Sequence, residues 1–241
     1  MAILEVVTPM TYDAGNANVP TGGRDFSWSP VAGNMIVVMA YWRGSTSTTC
    51  TCTPTGGSAT FTSRLAQLGG STYFHIVTAH NIGSGITKIN VAPNIAARGE
   101  IIVFELSGVD NNNPIDVTTV GAALTSASVM TPPSITPVTF GAYVISGWGN
   151  KSNAGTSSPF KVSSAGPTAH SGTKAGTGWT PKFDLWNQGP STHSAMAVAT
   201  NTVNEIGAYQ PDWTLAGTNS DGAAGAIALR PADQSGFMTA A

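Results

Sequence analysis

The sequence predicts an all-β protein, built as an antiparallel two-sheet β-sandwich of jelly-roll type. Three observations lead to this fold class. Short apolar or alternating segments recur along the whole chain, and Gly, Pro, Ser or Asn interrupts almost every ten residues. The 3.6-residue apolar period of amphipathic helices is nearly absent. The 241 residues are enough for one all-β domain with a large core.

Seven segments have the length and composition of strands, and turn residues bound each of them. They are MIVVMAYW (35–42), YFHIVTAH (73–80), TKINVAP (87–93), EIIVFELSG (100–108), GAYVISGWG (141–149), SAMAVATNT (194–202) and GAIALRP (225–231). Tyr73–His80 and Ile86–Val91, joined by NIGSG, are predicted to pair as a β-hairpin. Trp42 and Trp148 stand at strand ends, and we expect both in the core.

The two halves of the chain contain similar segments in the same order. GNMIVVMAYW, FHIVTAHNI and EIIVFELSG occur before residue 110, and FGAYVISGWG, HSAMAVATN and AAGAIALRP occur after residue 139. The spacings between them drift, so the pattern does not by itself establish a tandem repeat. The alternative is that they are two strand sets of one sandwich.

The organisation along the chain follows from these segments. Residues 1–30 are predicted to form a short N-terminal strand and a polar arm, residues 31–231 the β-sandwich domain, and residues 232–241 a C-terminal tail. A stretch at about 151–178 carries almost no apolar pattern and is predicted to be a long polar excursion from the sandwich.

Composition excludes several classes of function. The basic residues are scattered from Arg24 to Arg230, and only 9% of all residues are charged. Nucleic-acid and anionic-membrane binding need locally dense positive charge, so neither is expected. The longest apolar run, 35–42, is too short to span a bilayer. The N-terminus lacks the basic region of a signal peptide, so we expect synthesis in a cytoplasm without secretion.

No catalytic or metal-binding signature is recognisable, and we predict no enzyme activity, cofactor or metal. There is no G-x-S-x-G elbow, no zinc-ligand spacing, and the histidines are scattered. A polysaccharide-cleaving enzyme using Glu105 and Asp110 ranks last among the hypotheses. Cys50 and Cys52 are interpreted as two small strand residues, with an intermolecular disulfide as the alternative.

The stretch IIVFELSGVDNNNPIDVTT (101–119) raises the question of a carboxylate site. Asp110 and Asn112 fit the first two ligand positions of a calcium loop, but Pro114 occupies the third and no Gly or distal Glu follows. Asx side chains and Pro also make turns, so we predict a turn in which Asx side chains cap the backbone. Glu105 is predicted to point outward from its strand.

Aromatic residues mark a second candidate site. Trp179, Phe183 and Trp186 lie in GWTPKFDLWNQGP, a segment bounded by Gly and Pro. They are interpreted as plugs at a sandwich end, and alternatively as a platform for a glycan or a protein partner.

The order GNMIVVMAYWRG, TYFHIVTAHNIGSGITKINV, GEIIVFELSGVDNNNPIDV, FGAYVISGWGN and GAAGAIALRP resembles the β-sandwich virion structural proteins of tailed bacteriophages. These include minor structural, minor tail and head decoration proteins. The resemblance runs from about Gly33 to Pro231. It implies a non-enzymatic virion protein, most simply a capsid decoration protein on the outer shell. The alternative is a tail- or fibre-associated protein with a lectin-like, host-surface-binding role.

The same resemblance implies other virion proteins as partners, either the major capsid protein or tail components, and a homo-oligomer in the particle. Apolar residues near the termini are the predicted partner contacts: Ile3, Val6, Val7, Phe237 and Met238.

Overall fold

The computed structural model describes residues 1–14, 17–44, 49–124, 129–152, 170–171, 179–188, 193–214 and 221–232. These residues form strands and connecting turns, and no helix occurs among them. The strands are β1 (Leu4–Glu5), β2 (Met10–Asp13), β3 (Arg24–Ser27), β4 (Met35–Arg43), β5 (Cys50–Thr55), β6 (Thr62–Gly69), β7 (Thr72–Ala79), β8 (Lys88–Pro93), β9 (Arg98–Ser107), β10 (Ile115–Leu124), β11 (Val129–Met130), β12 (Tyr143–Ser152), β13 (His170–Ser171), β14 (Thr180–Gln188), β15 (His193–Thr202), β16 (Pro211–Thr214) and β17 (Asp221–Leu229).

Two large and two small sheets contain these strands. The first large sheet has the order β1-β9-β4-β7-β6, with β2 also paired to β9, and the second has the order β10-β17-β12-β15-β14. The small sheets are β3-β8-β5 and β11-β16-β13. Their ladders are antiparallel. The predicted all-β, antiparallel class is confirmed for the described residues, but the sheets outnumber the two that were predicted.

The two halves of the chain repeat one strand arrangement. Adding eight to each label turns β2-β9-β4-β7-β6 into β10-β17-β12-β15-β14, and β3-β8-β5 into β11-β16-β13. The segments that resemble one another in sequence are the matching strands β4 and β12, β7 and β15, and β9 and β17. Each set of recurring segments therefore forms the central strands of one large sheet, β9-β4-β7 in the first half and β17-β12-β15 in the second, and each half adds a small sheet of other strands.

The two large sheets pack face to face, and one apolar cluster joins them. We call this cluster the shared layer. Each small sheet or its neighbouring loops cover the outer face of a large sheet, so strands such as β4, β9 and β17 are buried on both faces. The sequences of these strands are therefore nearly continuous apolar runs. The shared layer includes Ile3, Met35, Val37, Met39, Tyr41, Phe74, Ile76, Ile102, Phe104, Leu106, Tyr143, Ile145, Phe183, Met196, Val198, Ile227 and Leu229.

Small residues in the second half allow this close packing. A Cβ atom added at Gly149 would overlap the ring of Tyr41, and one added at Gly225 would overlap the side chain of Leu65. The bulky side chains of the first large sheet therefore occupy space that glycine leaves open on the second. Both tryptophans predicted for the core, Trp42 and Trp148, are fully buried on the outer faces, which confirms that prediction.

The predicted hairpin of Tyr73–His80 with Ile86–Val91 is wrong. Strand β7 pairs with β4 and β6 in the first large sheet, whereas β8 pairs with β3 and β5 in the small sheet. The connection crosses from one layer to the other and buries Ile82 and Ile86 in the core between them. Strand alternation is satisfied by either pairing, so the pattern did not distinguish them.

The N-terminal segment is paired over much of its length. Strands β1 and β2 both pair with β9, β3 pairs with β8, and Val19 forms a bridge with Ala97. The segment predicted as a polar arm therefore contributes strands to two sheets. Most of the predicted excursion (153–169 and 172–178) and residues 233–241 of the predicted tail lie outside the described residues.

Glu105 does not point outward as predicted, because its side chain is buried at the end of β9. Its Oε1 accepts hydrogen bonds from the Val31 backbone N–H (2.8 Å) and from Asn34 Nδ2 (2.7 Å). Its Oε2 accepts one from Trp28 Nε1 (2.9 Å). The carboxylate therefore ties the 28–34 segment to the first large sheet.

We predict that Glu105→Gln destabilises the protein by about 2 kcal/mol, because the amide group replaces an acceptor with a donor beside buried donors. Urea denaturation measures the effect, and Glu205→Gln at an exposed position is the matched control. Equal unfolding midpoints for the two variants would contradict the role assigned to Glu105.

His75 is a second buried titratable residue of the first large sheet. It lies in β7 opposite Ala40 and Ala66, is 1% exposed, and its ring stacks on Tyr73 at a centroid distance of 5.9 Å. Burial lowers the pKa of His75 to about 4. The folded protein therefore favours the neutral ring, and between about pH 6.5 and pH 4 the unfolded chain binds more protons.

We predict that stability falls as the pH is lowered from about 6.5 to 4, and that His75→Phe removes about 3 kcal/mol of this fall. Urea titrations at several pH values measure it. Val77→Ala, on the same face of β7, should lower stability equally at every pH. A His75→Phe profile parallel to that of the wild-type protein would refute the prediction.

Candidate interaction surface

The polar stretch between the two halves forms a capped turn. Asp110 Oδ1 accepts hydrogen bonds from the backbone N–H groups of Asn112 (2.9 Å) and Asn113 (3.2 Å). This confirms the predicted Asx turn. Among the described residues, no group of three or more His, Cys, Asp or Glu side chains is placed to hold a metal ion.

Backbone hydrogen bonds join the same turn to the end of β17 and the residues that follow it. The Asp110 N–H donates to the Arg230 carbonyl (2.9 Å), and the Arg230 N–H donates to the Pro114 carbonyl (2.9 Å). The Ala232 N–H donates to the Gly108 carbonyl (2.8 Å). The Met1 ammonium group donates to the Ala232 carbonyl (2.9 Å). Residues 108–114, residues 230–232 and the N-terminus thus meet at one place, which we call the seam.

Asp116 positions the segment that follows β11. Its Oδ2 accepts hydrogen bonds from the Val138 N–H (2.7 Å) and the Thr139 N–H (3.2 Å), and its Oδ1 lies 3.5 Å from Arg230 Nε. The carboxylate is buried, so these contacts are shielded from solvent. The Pro-Ile-Asp sequence (114–116) therefore orients the residues leading to Phe140.

Large apolar side chains are exposed beside the seam. Met1 is 67% exposed and Phe140 is 66% exposed, and both line a cleft of about 470 Å³ together with Gly141 and Pro231. Val138 and Leu4 are also largely exposed. We call Met1, Leu4, Val138 and Phe140 the seam surface. Exposed apolar side chains that lie close together, such as Met1 and Phe140, are candidates for a protein-binding surface.

A polar cleft of about 470 Å³ lies next to it and shares Thr202 with the apolar cleft. Glu5 accepts a short hydrogen bond from the Tyr143 hydroxyl and pairs with Lys182 Nζ at 2.8 Å. Burial, and the hydrogen bond to Glu5, raise the pKa of Tyr143. The carboxylate, phenol and amine bind one another, so the group holds β1 against the second large sheet.

The predicted partner contacts are distributed unequally. Ile3 is 6% exposed and packs in the shared layer, so it is a core residue of the chain itself. Val6 and Val7 are 39% and 38% exposed and extend the apolar segment beyond β1. Phe237 and Met238 lie outside the described residues.

The aromatic segment does not present one platform in the described residues. Trp179 packs in the core on the outer face of the second large sheet, whereas Phe183 packs in the shared layer on its inner face. Both are buried, which favours the interpretation as plugs. The side chain of Trp186 lies outside the described residues.

Cys50 and Cys52 are both unpaired and buried in β5, facing the core beside the small sheet. Hydrogen bonding to Cys50, together with burial, raises the pKa of the Cys52 thiol well above its ordinary value. A neutral, buried thiol is a poor nucleophile and a poor partner for disulfide exchange.

Sequence reasoning missed Phe140, Val138 and Met1. For Val138 and Phe140 the available signal was a pair of large apolar residues in ITPVTFG, between Pro137 and Gly141. Such residues were outside the strand pattern, and only their exposure beside the seam identifies them.

Comparisons with known proteins found no matching family model, no similar curated protein and no similar solved structure. Within the part of the chain that the structure covers, no helix has the length and hydrophobicity needed to cross a membrane.

We predict that Asp116→Asn loosens the 138–140 segment, because the neutral amide is a weaker acceptor for the two backbone N–H groups. Hydrogen–deuterium exchange at Val138 and Thr139 should accelerate by about tenfold, equivalent to about 1.4 kcal/mol. Asp25→Asn, in an exposed ion pair with Lys88, is the matched control. Unchanged exchange in Asp116→Asn would contradict the anchoring role.

Proposed function

We propose that the chain is a non-enzymatic structural protein of a phage virion, and specifically a capsid decoration protein that binds the outer shell through the seam surface. The observation that carries the proposal is the exposure of Phe140 and Met1 on two backbone segments that hydrogen bonds to Asp116 and to the Ala232 carbonyl hold in place. The resemblance of the strand segments to tailed-phage β-sandwich proteins supports it independently. Other virion proteins are the partners, and the protein acts as a homo-oligomer in the particle.

We further infer that each half is a variant of the jelly roll. If the strands of a half are numbered from one to eight, the large sheet has the order 1-8-3-6-5 and the small sheet the order 2-7-4. The first strand thus pairs with the last, as in a jelly roll, but the fifth strand lies in the large sheet. Jelly rolls are common in viral capsid proteins and in lectins, so this architecture is compatible with a virion role.

Apolar anchors explain how such a protein holds its place. A few exposed aromatic and aliphatic side chains contribute most of the free energy of a protein interface when a partner covers them. With only 9% of residues charged, the chain has a weak electrostatic barrier to close packing of copies on a lattice. Both features favour a shell-bound protein.

The alternative role, a tail- or fibre-associated protein with lectin-like binding, requires exposed rings that stack on a sugar. Trp179 and Phe183 are buried on opposite faces of the second large sheet. This arrangement supports the alternative less well than the decoration role.

We predict that Phe140→Asp lowers the number of copies per purified particle by at least about tenfold, because a buried aromatic anchor contributes about 2 kcal/mol or more to an interface. Quantitative mass spectrometry of particles measures the occupancy. Leu68→Asp, an exposed leucine in β6, is the control and should leave occupancy unchanged. Normal occupancy of Phe140→Asp would exclude the seam surface as the contact.

Immunogold electron microscopy of purified particles, with antibody raised against this chain, tests the location. Label spread over the head is the expected result. Label confined to the tail tip or fibres would favour the alternative role, and particles without label would overturn the virion proposal.

A further inference from the structure

The fold brings together three cationic side chains that are far apart in the sequence. Arg43 and Arg98 are directly opposite one another on the paired strands β4 and β9. Lys151, in β12 of the second large sheet, lines the same cleft of about 310 Å³. Asn18 and Ser71 also line this cleft. The cleft lies at the end of the gap between the two large sheets, where the shared layer stops.

The two guanidinium groups carry unmet hydrogen-bonding capacity. The Nη1 atom of Arg43 and the Nη1 atom of Arg98 are buried, and neither has a hydrogen-bond partner in the described part of the chain. Ion pairs there involve Lys88, Lys182 and Arg230, but neither of these arginines. A buried donor without an acceptor costs free energy that a bound acceptor would recover.

The positive charges of Arg43 and Arg98 also repel one another. Like charges directly opposite on neighbouring strands are destabilising. Burial is the largest cause that lowers the pKa of Arg43; Tyr41 opposes this shift, and the charge of Arg98 adds to it. A pair of this kind is stabilised when an anion binds between its members.

Two acidic residues lie on the strands that border the cleft. Glu100 is two residues from Arg98 on β9 and directly opposite Tyr41 on β4. Asp221 is directly opposite Lys151 on β17. Lys151 Nζ nevertheless donates to Ser71 Oγ at 2.8 Å, and no Lys151–Asp221 ion pair within 4.0 Å occurs among the described residues.

We propose that this cleft is a binding site for a tetrahedral oxyanion, a phosphate or sulfate group, held by Arg43, Arg98 and Lys151. The rigid fork of each guanidinium group matches the oxygens of such a group, and three cations suit a dianion better than a carboxylate. The cleft volume is at the lower end of the range for small-molecule sites, so the group can be free or part of a small molecule. The inference does not depend on the virion role.

The test is thermal unfolding of the full chain at constant ionic strength, with chloride, acetate, inorganic phosphate, sulfate or glucose 6-phosphate as the varied anion. The Tm of the wild-type protein should rise by about 5 °C at an anion concentration roughly 100 times Kd, and acetate should have little effect. In chloride, Arg98→Gln should be at least as stable as the wild-type protein, because the like-charge repulsion is removed, and it should lose the response to phosphate. Lys88→Gln removes one positive charge outside the cleft and should keep that response.

A response to inorganic phosphate or sulfate supports a site for the free ion, and a response to glucose 6-phosphate alone supports a site for a phosphorylated small molecule. The proposal is overturned if none of the three raises the Tm above its value in chloride, if acetate is equally effective, or if Arg98→Gln keeps the full response. A large loss of stability of Arg98→Gln in chloride would also overturn it, because Arg98 would then have a structural role.

Discussion

The packing of the two large sheets against each other is the constraint on which the rest of the structure depends. Each sheet offers an apolar face to the other, and the first half supplies most of the bulk through side chains such as Met39, Tyr41 and Phe104. The strands of the second half are rich in Ala and Gly, and Gly149 and Gly225 leave room for side chains of the first large sheet. The halves repeat one strand order but are not interchangeable, because their facing residues are complementary in size.

Buried carboxylates organise the backbone around this apolar layer. Glu105 accepts hydrogen bonds from three donors of the 28–34 segment. Asp116 accepts hydrogen bonds from the N–H groups of Val138 and Thr139. Both occur near the connection between the halves, in the stretch IIVFELSGVDNNNPIDVTT. The stretch that raised the question of a carboxylate site is a structural joint, and its Asp116 holds the segment that carries the exposed Val138 and Phe140. This joint links the fold to the proposed interaction with a shell.

The sequence predicted the strand segments well, because strands buried on both faces, such as β4 and β9, read as long apolar runs bounded by turn residues. It did not predict which strands pair, since β7 and β8 satisfy alternation equally well in separate sheets. Burial of Glu105 was missed because its partners lie more than 70 residues away. The cationic cleft was missed for the same reason: Arg43 and Arg98 are isolated in the sequence and become neighbours only through strand pairing.

Differential scanning calorimetry of the intact chain tests most directly the claim that the shared layer makes the two halves one folded unit. We expect one transition, with a calorimetric enthalpy equal to the van't Hoff enthalpy, because neither half can lose its sheet without exposing the apolar face of the other. Two separate transitions, or a calorimetric enthalpy about twice the van't Hoff value, would show that the halves unfold independently and that the shared layer does not join them into one folded unit.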